Sequence, residues 1–497
     1  MDQVVHTDGV WYAVMGVNFA RGLGLTDWFG RPVTFWSPLY PVALGLAWLV
    51  FPSAEVAGRL VSLISGLLCV PLIYLLARRV YDETTAWVGA FLVALVPQLA
   101  LQSIWMLTEA LYTLLIVAAF LSAIASFQRA RWATVAGGLL GLATLTRPEA
   151  LVYLLVLTAA YFGAWLVRRQ AGYAVRLVAM LLAFGLAVAP YVLWLHSVTG
   201  HWALTAKTDV NFAVDYIGWE TVERQHFTLT PDGTSIGGFQ ATRFDFLAYA
   251  VQHPLQVVSH WRQTFLEFSS ELFNVGKPWF LPLAVLGLLG EVWNSRRGER
   301  WFLVAALAPL VGLSLLHADG RFVTPLLPFL CLWAARGLIV LHGWLVVAVP
   351  GLESFLTGVG SGRFALAVSA LLVLWMAPLY LADRTANFDP YNEPLEIKHA
   401  GQWIRDTYGP GQIIVSRRLQ VAFYAEGKLL ELPLGDVGAV IKYSRANGAR
   451  LLVVDSRTVP GQRPDLGPLL SDGWPGLRLV YDRTEGSRYR VRIFELP

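Results

Sequence analysis

The carboxylates that could do chemistry in this sequence are few and unusually placed. Asp8 stands near the start, in MDQVVHTDGVWYAV, with Tyr12 four residues on and so on the same helical face. Glu109, in SIWMLTEALYTLLIVAAF, is the one charge between the Asp82-Glu83 pair and Arg129. One reading of a carboxylate in such a setting is an acid that faces a polar cavity. Each also has a plainer reading. Asp8 would cap a helix over residues 9–21, and spacing alone favours that role. Glu109, following Thr108, would be a charge favoured by the dipole at a helix N-terminus. Asp82 and Glu83, beside Arg78-Arg79, read as solvated.

The elements that must position these acids belong to a membrane protein. Of 497 residues, 56% are hydrophobic and 14% charged, with a mean hydropathy of +0.53. A soluble domain is about a quarter charged. The charge is uneven: 27 of the 107 residues from Tyr391 onward are Asp, Glu, Lys or Arg, against 45 of the 390 before them. The sequence predicts a membrane domain over 1–385 and a soluble domain over 386–497. Spanning a bilayer takes about 17–25 apolar residues. Ten stretches offer a span: 57–77, 85–101, 109–127, 132–146, 150–167, 176–198, 278–294, 301–317, 322–345 and 364–382. Arg78-Arg79, Arg129 with Arg131, Arg168-Arg169 with Arg176, Arg296-Arg297 with Arg300, and Arg363 fall in alternate loops, which assigns those loops to the cytoplasm.

The other loops then face outward: residues 1–56, the turn before Glu109, the turn Thr146-Arg147-Pro148-Glu149, the 199–277 loop, the turn from His317 to Arg321, and the C-terminal domain. A multi-pass protein of the plasma (inner) membrane, its site and C-terminal domain extracytoplasmic, is expected. Ser37–Phe51, with Pro38 and Pro41 near its start, is about 15 residues long and reads as an in-plane or re-entrant helix. The net charge of +4 gives no nucleic-acid partner, because the arginines sit in short loops. Cys69 and Cys331 lie in apolar stretches and read as packing residues. No basic n-region with a cleavage site opens the chain, so no signal peptide is expected.

Outward cations are exceptions to the positive-inside pattern. They are Arg59, Arg147, Lys207, Arg224, Arg243, Arg262 and Arg321. A lipid phosphate at the outer face is one reason for them, and snorkelling to anionic headgroups is the other. The 199–277 loop is too long for a plain connector. Its Trp202, Phe212, Tyr216, Trp219 and Phe227 suit sugar rings and the membrane interface alike, and Thr230-Pro231-Asp232-Gly233 is a turn. The C-terminal domain reads as small α/β. Helices are expected over Leu395–Tyr408 and Asp436–Asn447, and strands at Gln412–Ser416, Leu451–Asp455, Leu477–Tyr481 and Tyr489–Glu495. It shows no nucleotide-binding glycine loop, metal-ligand spacing or nucleophile elbow. Acceptor docking and a purely structural cap are its two readings.

Taken together, these residues resemble the GT-C glycosyltransferases that use polyprenyl-phosphate sugars. They are most similar to glycosyltransferase family 39, which includes protein O-mannosyltransferases and the transferases that add aminoarabinose to lipid A. The resemblance covers about residues 1–345. It rests on Asp8-Gly-Val-Trp-Tyr12, on Ser37-Pro38-Leu39-Tyr40, on Arg59 opening a span and on Thr108-Glu109. It rests also on Leu145-Thr146-Arg147-Pro148 and on Arg321-Phe322-Val-Thr-Pro325-Leu-Leu-Pro328. Each motif alone is weak, and their order makes the combination specific. Two departures stand out. Relatives normally have a span before the first acid, so the sequence is expected to begin after that point or to hold its loop without that anchor. Several relatives also carry Lys or Arg just before Pro-Leu-Tyr, where Trp36-Ser37 stand here; Lys207 is the leading substitute, with a solvated loop lysine as the alternative.

The resemblance implies a polytopic α-helical GT-C-like fold of about ten transmembrane helices plus in-plane helices, with the small α/β domain outside. It implies transfer of a sugar, hexosyl or pentosyl, from a polyprenyl-phosphate donor to a cell-envelope glycan, lipid or protein, with inversion. Asp8 would be general base and Glu109 would position acceptor or sugar. Tyr12, Tyr40, Arg59, Arg147, Lys207 and Arg321 would bind substrate. A divalent metal bridging Asp8 and Glu109 is left open and is not indicated, because no compact ligand cluster accompanies them. A transporter or flippase of lipid-linked saccharide is the alternative from another class. Transporters often show internal repeats, and none is detected here. A polysaccharide polymerase or ligase would not be expected to combine these motifs in this order.

Overall fold

A histidine, not the expected aspartate, caps the first helix of the computed structural model. The described residues are 4–238, 244–292, 298–386, 394–485 and 489–496; Arg243, Arg296-Arg297 and Tyr391 lie outside them. Helix α1 runs over Thr7–Ala20, and the His6 ring nitrogen Nδ1 accepts from the Asp8 N–H at 3.2 Å. Asp8 sits inside the first turn, where a carboxylate suits the helix dipole. The capping role expected of Asp8 is thereby corrected, and its carboxylate is left for other partners.

Helix α2, Leu39–Trp48, has 10 residues. At 1.5 Å per residue it is about 15 Å long, half of the roughly 30 Å hydrocarbon core. It packs on α1 where two glycines meet. A Cβ on Gly16 would stand 2.6 Å from the Pro41 carbonyl oxygen, and one on Gly45 would collide with the Gly16 carbonyl.

Helix α3 spans Ala54–Val80 and α4 spans Glu83–Leu95. Asp82 is more than a solvated charge. It caps α4 by accepting from the Thr85 N–H at 2.8 Å, and it pairs with Arg336 at 2.7 Å. The span expected over 85–101 breaks at Val96, whose backbone is extended. Pro97 follows, and a residue before proline is pushed out of the helical region. Helices α5 (Pro97–Gln102), α6 (Glu109–Ala125), α7 (Arg131–Thr146), α8 (Ala150–Arg168) and α9 (Ala171–Thr199) follow.

The long connection after α9 is largely helical: α10 (Lys207–Ile217), α11 (Trp219–Phe227), α12 (Phe246–Gln252) and α13 (Pro254–Val292). The loop expected to reach 277 is corrected, since residues 254–277 belong to the same 39-residue helix as the following span. From Leu255 to Asn274 that stretch holds no Pro or Gly, and Pro254 occupies the first helical position, where proline is tolerated. Short helices α14 (Gly298–Leu303) and α15 (Ala308–Gly312) precede α16 (Leu327–Ala348), α17 (Glu353–Val359) and α18 (Ser361–Ala386).

Among the described residues, five helical runs are long and apolar enough to cross a membrane unaided: 54–80, 150–168, 171–199, 320–348 and 361–379. Several other expected spans are shorter. Helix α6, with 17 residues, is about 26 Å long. It is buried along most of its length, so it meets protein rather than lipid on nearly every face.

The basic loops gather at one end of the bundle. Arg79 donates to the Ile124 carbonyl, Arg176 to that of Ser126 and Arg300 to that of Val80. The chain start, the α7–α8 turn and Arg321 meet at the opposite end, where the C-terminal unit also packs. That unit comprises α19 (Leu395–Tyr408), β1 (Ile413–Ser416), α20 (Leu419–Tyr424), β2 (Lys428–Glu431), α21 (Val437–Ala446), β3 (Leu451–Asp455), β4 (Arg478–Glu485) and β5 (Tyr489–Glu495). The sheet order is β2-β1-β3-β5-β4, with β1 parallel to β2 and β3 and the β5 pairings antiparallel. Every residue of the central β3 is buried, the four apolar ones as a covered strand requires and Asp455 through accepting the Arg457 and Thr458 N–H groups. The unit docks on the start of the chain and on α11. The Val5 N–H donates to the Tyr424 hydroxyl at 2.9 Å, Gln420 to the Thr7 hydroxyl at 3.2 Å, and Arg417 pairs with Glu223 at 3.0 Å.

Candidate functional site

The turn ahead of Glu109 is pinned from two sides. A Cβ on Gly9 would stand 2.7 Å from the Met106 carbonyl oxygen, so α1 lies directly on this turn. From α3, the Ser62 hydroxyl donates to the Leu107 carbonyl at 3.2 Å. Close packing through Gly9 thus carries the Asp8 end of α1 toward Glu109, which opens α6 and is only 2% exposed.

Arg147 closes α7 in an extended conformation, with Pro148 behind it. That geometry sends its guanidinium to Glu109 at 2.7 Å and to Glu149 at 3.0 Å. The group also lies over the Phe322 ring at 4.9 Å and the Tyr112 ring at 5.9 Å. Arg321 stands 3.4 Å from Asp8 and 3.1 Å from Asp319. Asp319 caps the short 3-10 turn that carries Arg321, accepting its N–H at 2.9 Å. Lys207, the first residue of α10, places its amine over Trp36 at 4.8 Å and Phe35 at 5.4 Å. Helix α10 is tied down at its far end, where Asp215 accepts from the His317 N–H at 3.1 Å and Tyr216 donates to the Leu315 carbonyl at 3.1 Å.

Burial and charge compete at each titrating group. Burial pushes the Asp8 carboxyl up, but neighbouring His6, Arg321 and Lys207 outweigh it and hold the group below its ordinary value. Burial likewise pushes Glu149 up, and Arg147 brings it below the ordinary carboxylate. Lys207 goes the other way. Burial lowers its amine, and the opposing pull of Asp8 and Glu149 does not fully restore it. One oxygen each of Glu109 and Glu149 is buried with no hydrogen-bond partner among the described residues. Beside Arg147 and Glu149 lies a void of about 10 Å³, room for roughly one water. The site therefore holds two uncommitted acceptors next to a bound guanidinium.

The structure brings Asp8, Tyr12, Glu109, Arg147, Lys207 and Arg321 together. Tyr12 is buried, edge-on to Trp36 at 5.5 Å and Tyr40 at 5.3 Å. It feels the charges of Asp8, Glu109, Arg147 and Arg321. Two expected substrate contacts lie elsewhere. Tyr40 is fully buried behind Tyr12, its hydroxyl 2.8 Å from the Gly58 carbonyl oxygen and 2.9 Å from the Ser62 hydroxyl. Arg59 pairs with Glu55, one turn before it on α3, at 2.6 Å. Sequence reasoning missed Glu149, Asp319 and the role of Trp36. Glu149 and Asp319 each lie two residues from a singled-out arginine, which was the available signal. Among the described residues, no group of three or more His, Cys, Asp or Glu is arranged for a metal.

Residues 33–194, about a third of the chain, match the family model described as dolichyl-phosphate-mannose-protein mannosyltransferase. No curated protein matches the chain by sequence. Among solved structures, it resembles ArnT from Cupriavidus metallidurans bound to undecaprenyl phosphate. That match has 14% identity and a TM-score of 0.59, and covers 100% of this chain and 94% of that one. It also resembles the Archaeoglobus fulgidus oligosaccharyltransferase in complex with zinc and sulfate, at 14% identity and a TM-score of 0.58, over 94% of this chain and 66% of that one. A further structure of the archaeal enzyme AglB, with an inhibitory peptide and a dolichol-phosphate, matches at 14% identity and a TM-score of 0.55, over 92% of this chain and 66% of that one. The chain is a polytopic membrane protein with the GT-C glycosyltransferase fold, carrying the dolichyl-phosphate-mannose-protein mannosyltransferase pattern over residues 33–194.

Proposed function

We propose that this chain transfers a glycosyl group from a polyprenyl-phosphate donor to a hydroxyl or amine of a cell-envelope glycan, lipid or protein at the outer face of the plasma membrane. One observation carries the reading. Three cations, Arg147, Lys207 and Arg321, converge with the carboxylates of Asp8 and Glu109 at one end of a GT-C bundle. The ArnT structure with undecaprenyl phosphate and the AglB structure with dolichol-phosphate support the donor class.

The acceptor oxygen or nitrogen attacks the anomeric carbon and the bond to the donor phosphate breaks. The phosphate leaves with the electron pair, so the anomeric centre inverts, and Asp8 takes the acceptor's proton. Cations that hold the developing phosphate charge lower the barrier. Lys207 and Arg321 would take this role, and their electrostatic reach to Asp8 supports it. His6 and Arg321 lie beside Asp8 and depress its basicity. A phosphate that draws Arg321 and Lys207 to itself would relieve that hold and make Asp8 the better base when the donor is in place. The uncommitted oxygens of Glu109 and Glu149 are acceptors suited to sugar hydroxyls. The C-terminal unit, packed on α1 and α11, stands where an acceptor would approach.

The test is transfer itself. Purified protein given a labelled polyprenyl-phosphate sugar and cell-envelope extract should move label to an acceptor, and Asp8→Asn should not. Translocation of the donor lipid across vesicles without transfer would establish the flippase reading instead.

A further inference from the structure

A second site lies in the membrane domain, on the flank of α3, at the α4–α5 break and along α6. It is a cavity of about 210 Å³ lined mainly by apolar groups, among them Leu67, Val70 and Leu99. One water needs about 10–15 Å³ on the same measure, so the space is made for a larger guest. No charged side chain lines it. Its mouth faces the bilayer, for Leu67 on its rim is 61% exposed on an apolar helix face.

Its inner wall is polar and unfinished. Gln102 is 1% exposed, yet neither its amide oxygen nor its amide nitrogen has a hydrogen-bond partner among the described residues. The hydroxyls of Thr113, 3% exposed, and Thr324, 1% exposed, line the same wall and are also without partners among the described residues. Buried polar groups are nearly always paired. A glutamine and two hydroxyls together offer donors and an acceptor to a neutral polar group.

We propose that this cavity binds the acyl chain of a bilayer lipid, its carbonyl linkage accepting from Gln102, Thr113 and Thr324. A hydrocarbon isoprenoid tail would fill the space but leave all three groups unsatisfied. A charged group would find no counterion. The chain-linkage region of an acyl lipid has both the apolar length and the neutral acceptor the cavity asks for. The cavity lies across the break at Val96-Pro97, with lining residues from both α4 and α5. The inference does not rest on the transfer reaction.

The test uses the whole delipidated protein and native mass spectrometry. Dioleoyl phosphatidylglycerol is compared with its diether analogue, which has the same headgroup and chain length but no carbonyl. Wild type should retain the ester lipid at least about fivefold better. Gln102→Leu should lose that preference, and Ala100→Phe at the exposed rim should lower binding of both lipids. Equal binding of ester and ether lipids by wild type would overturn the proposal, as would an undiminished preference in Gln102→Leu. Competition by undecaprenyl phosphate for the same bound lipid would make the cavity the donor's tail groove and would also overturn it. Transfer activity, measured separately, bears only on the proposed reaction.

Discussion

Arg147 is the residue whose loss has the clearest physical cost. Substituting methionine keeps the apolar stem and removes the charge, leaving Glu109 and Glu149 without their shared cation. Glu109 is 2% exposed and Arg147 13% exposed, so water screens this pair little. With charge centres about 4 Å apart and an effective dielectric near 20, the attraction is about 4 kcal/mol. Removing one member of a buried pair typically costs about 3–5 kcal/mol, because the partner stays buried and unpaired. An unfolding entropy of about 2.1 cal/mol/K per residue over this length turns 4 kcal/mol into a fall of about 4 °C in the unfolding midpoint. Tryptophan fluorescence on heating in detergent would read it. The double variant Arg147→Met/Glu109→Gln should regain part of the loss, because the neutral amide at 109 no longer needs a cation while Glu149 still lacks its partner. If Arg147→Met melts with the wild type, or the double variant falls further than the single one, the pair does not hold this turn as argued.

Other perturbations probe other parts of the site. Asp8 binds a proton less readily when folded, so it contributes stability above the unfolded value of about 3.9 that is lost as pH falls through its lower folded value. In Arg321→Ala the acid unfolding limb should shift to higher pH; an unmoved limb would mean Arg321 does not act on Asp8. Lys207 has a lowered value, so polyprenyl-phosphate binding should weaken at a lower pH than for an ordinary lysine, and Lys207→Arg should move that loss upward. Loss of binding at the same pH in wild type and Lys207→Arg would count against Lys207. Gly45→Val should drive α2 off α1 and cost both stability and transfer; normal melting in that variant would show that the two helices need no such close approach.

The sequence disclosed what charge and length determine. Most of the ten apolar stretches fall on long helices, while 85–101 breaks at Val96 and 301–317 divides into short helical pieces, and the runs reading as strands form most of the sheet. Arg147 and Arg321 do meet the motif acids, far from them in the chain. What it could not disclose depends on neighbours. The capping of α1 by His6 competes with an equally plausible Asp8, and only the ring position decides it. Strand β2 and helix α20 are short, and the sheet and α1 support them more than their own pattern does. Tyr40 and Arg59 sit in motifs as suggestive as Asp8 does, yet packing turns one into the core and pairs the other with Glu55. Lys207 reaches Trp36 through a helix that reads as loop in the sequence.

The central claim is that Asp8 takes the acceptor's proton in a site built to hold a lipid phosphate. The direct measurement compares donor binding and turnover in purified wild type and Asp8→Asn at neutral pH. General-base catalysis is commonly worth about 10²–10⁴-fold. The account predicts a turnover loss of at least about a hundredfold with donor affinity unchanged or tighter, because Arg321 is then released from its carboxylate. Wild-type turnover in Asp8→Asn, or a loss explained entirely by weaker donor binding, would contradict it.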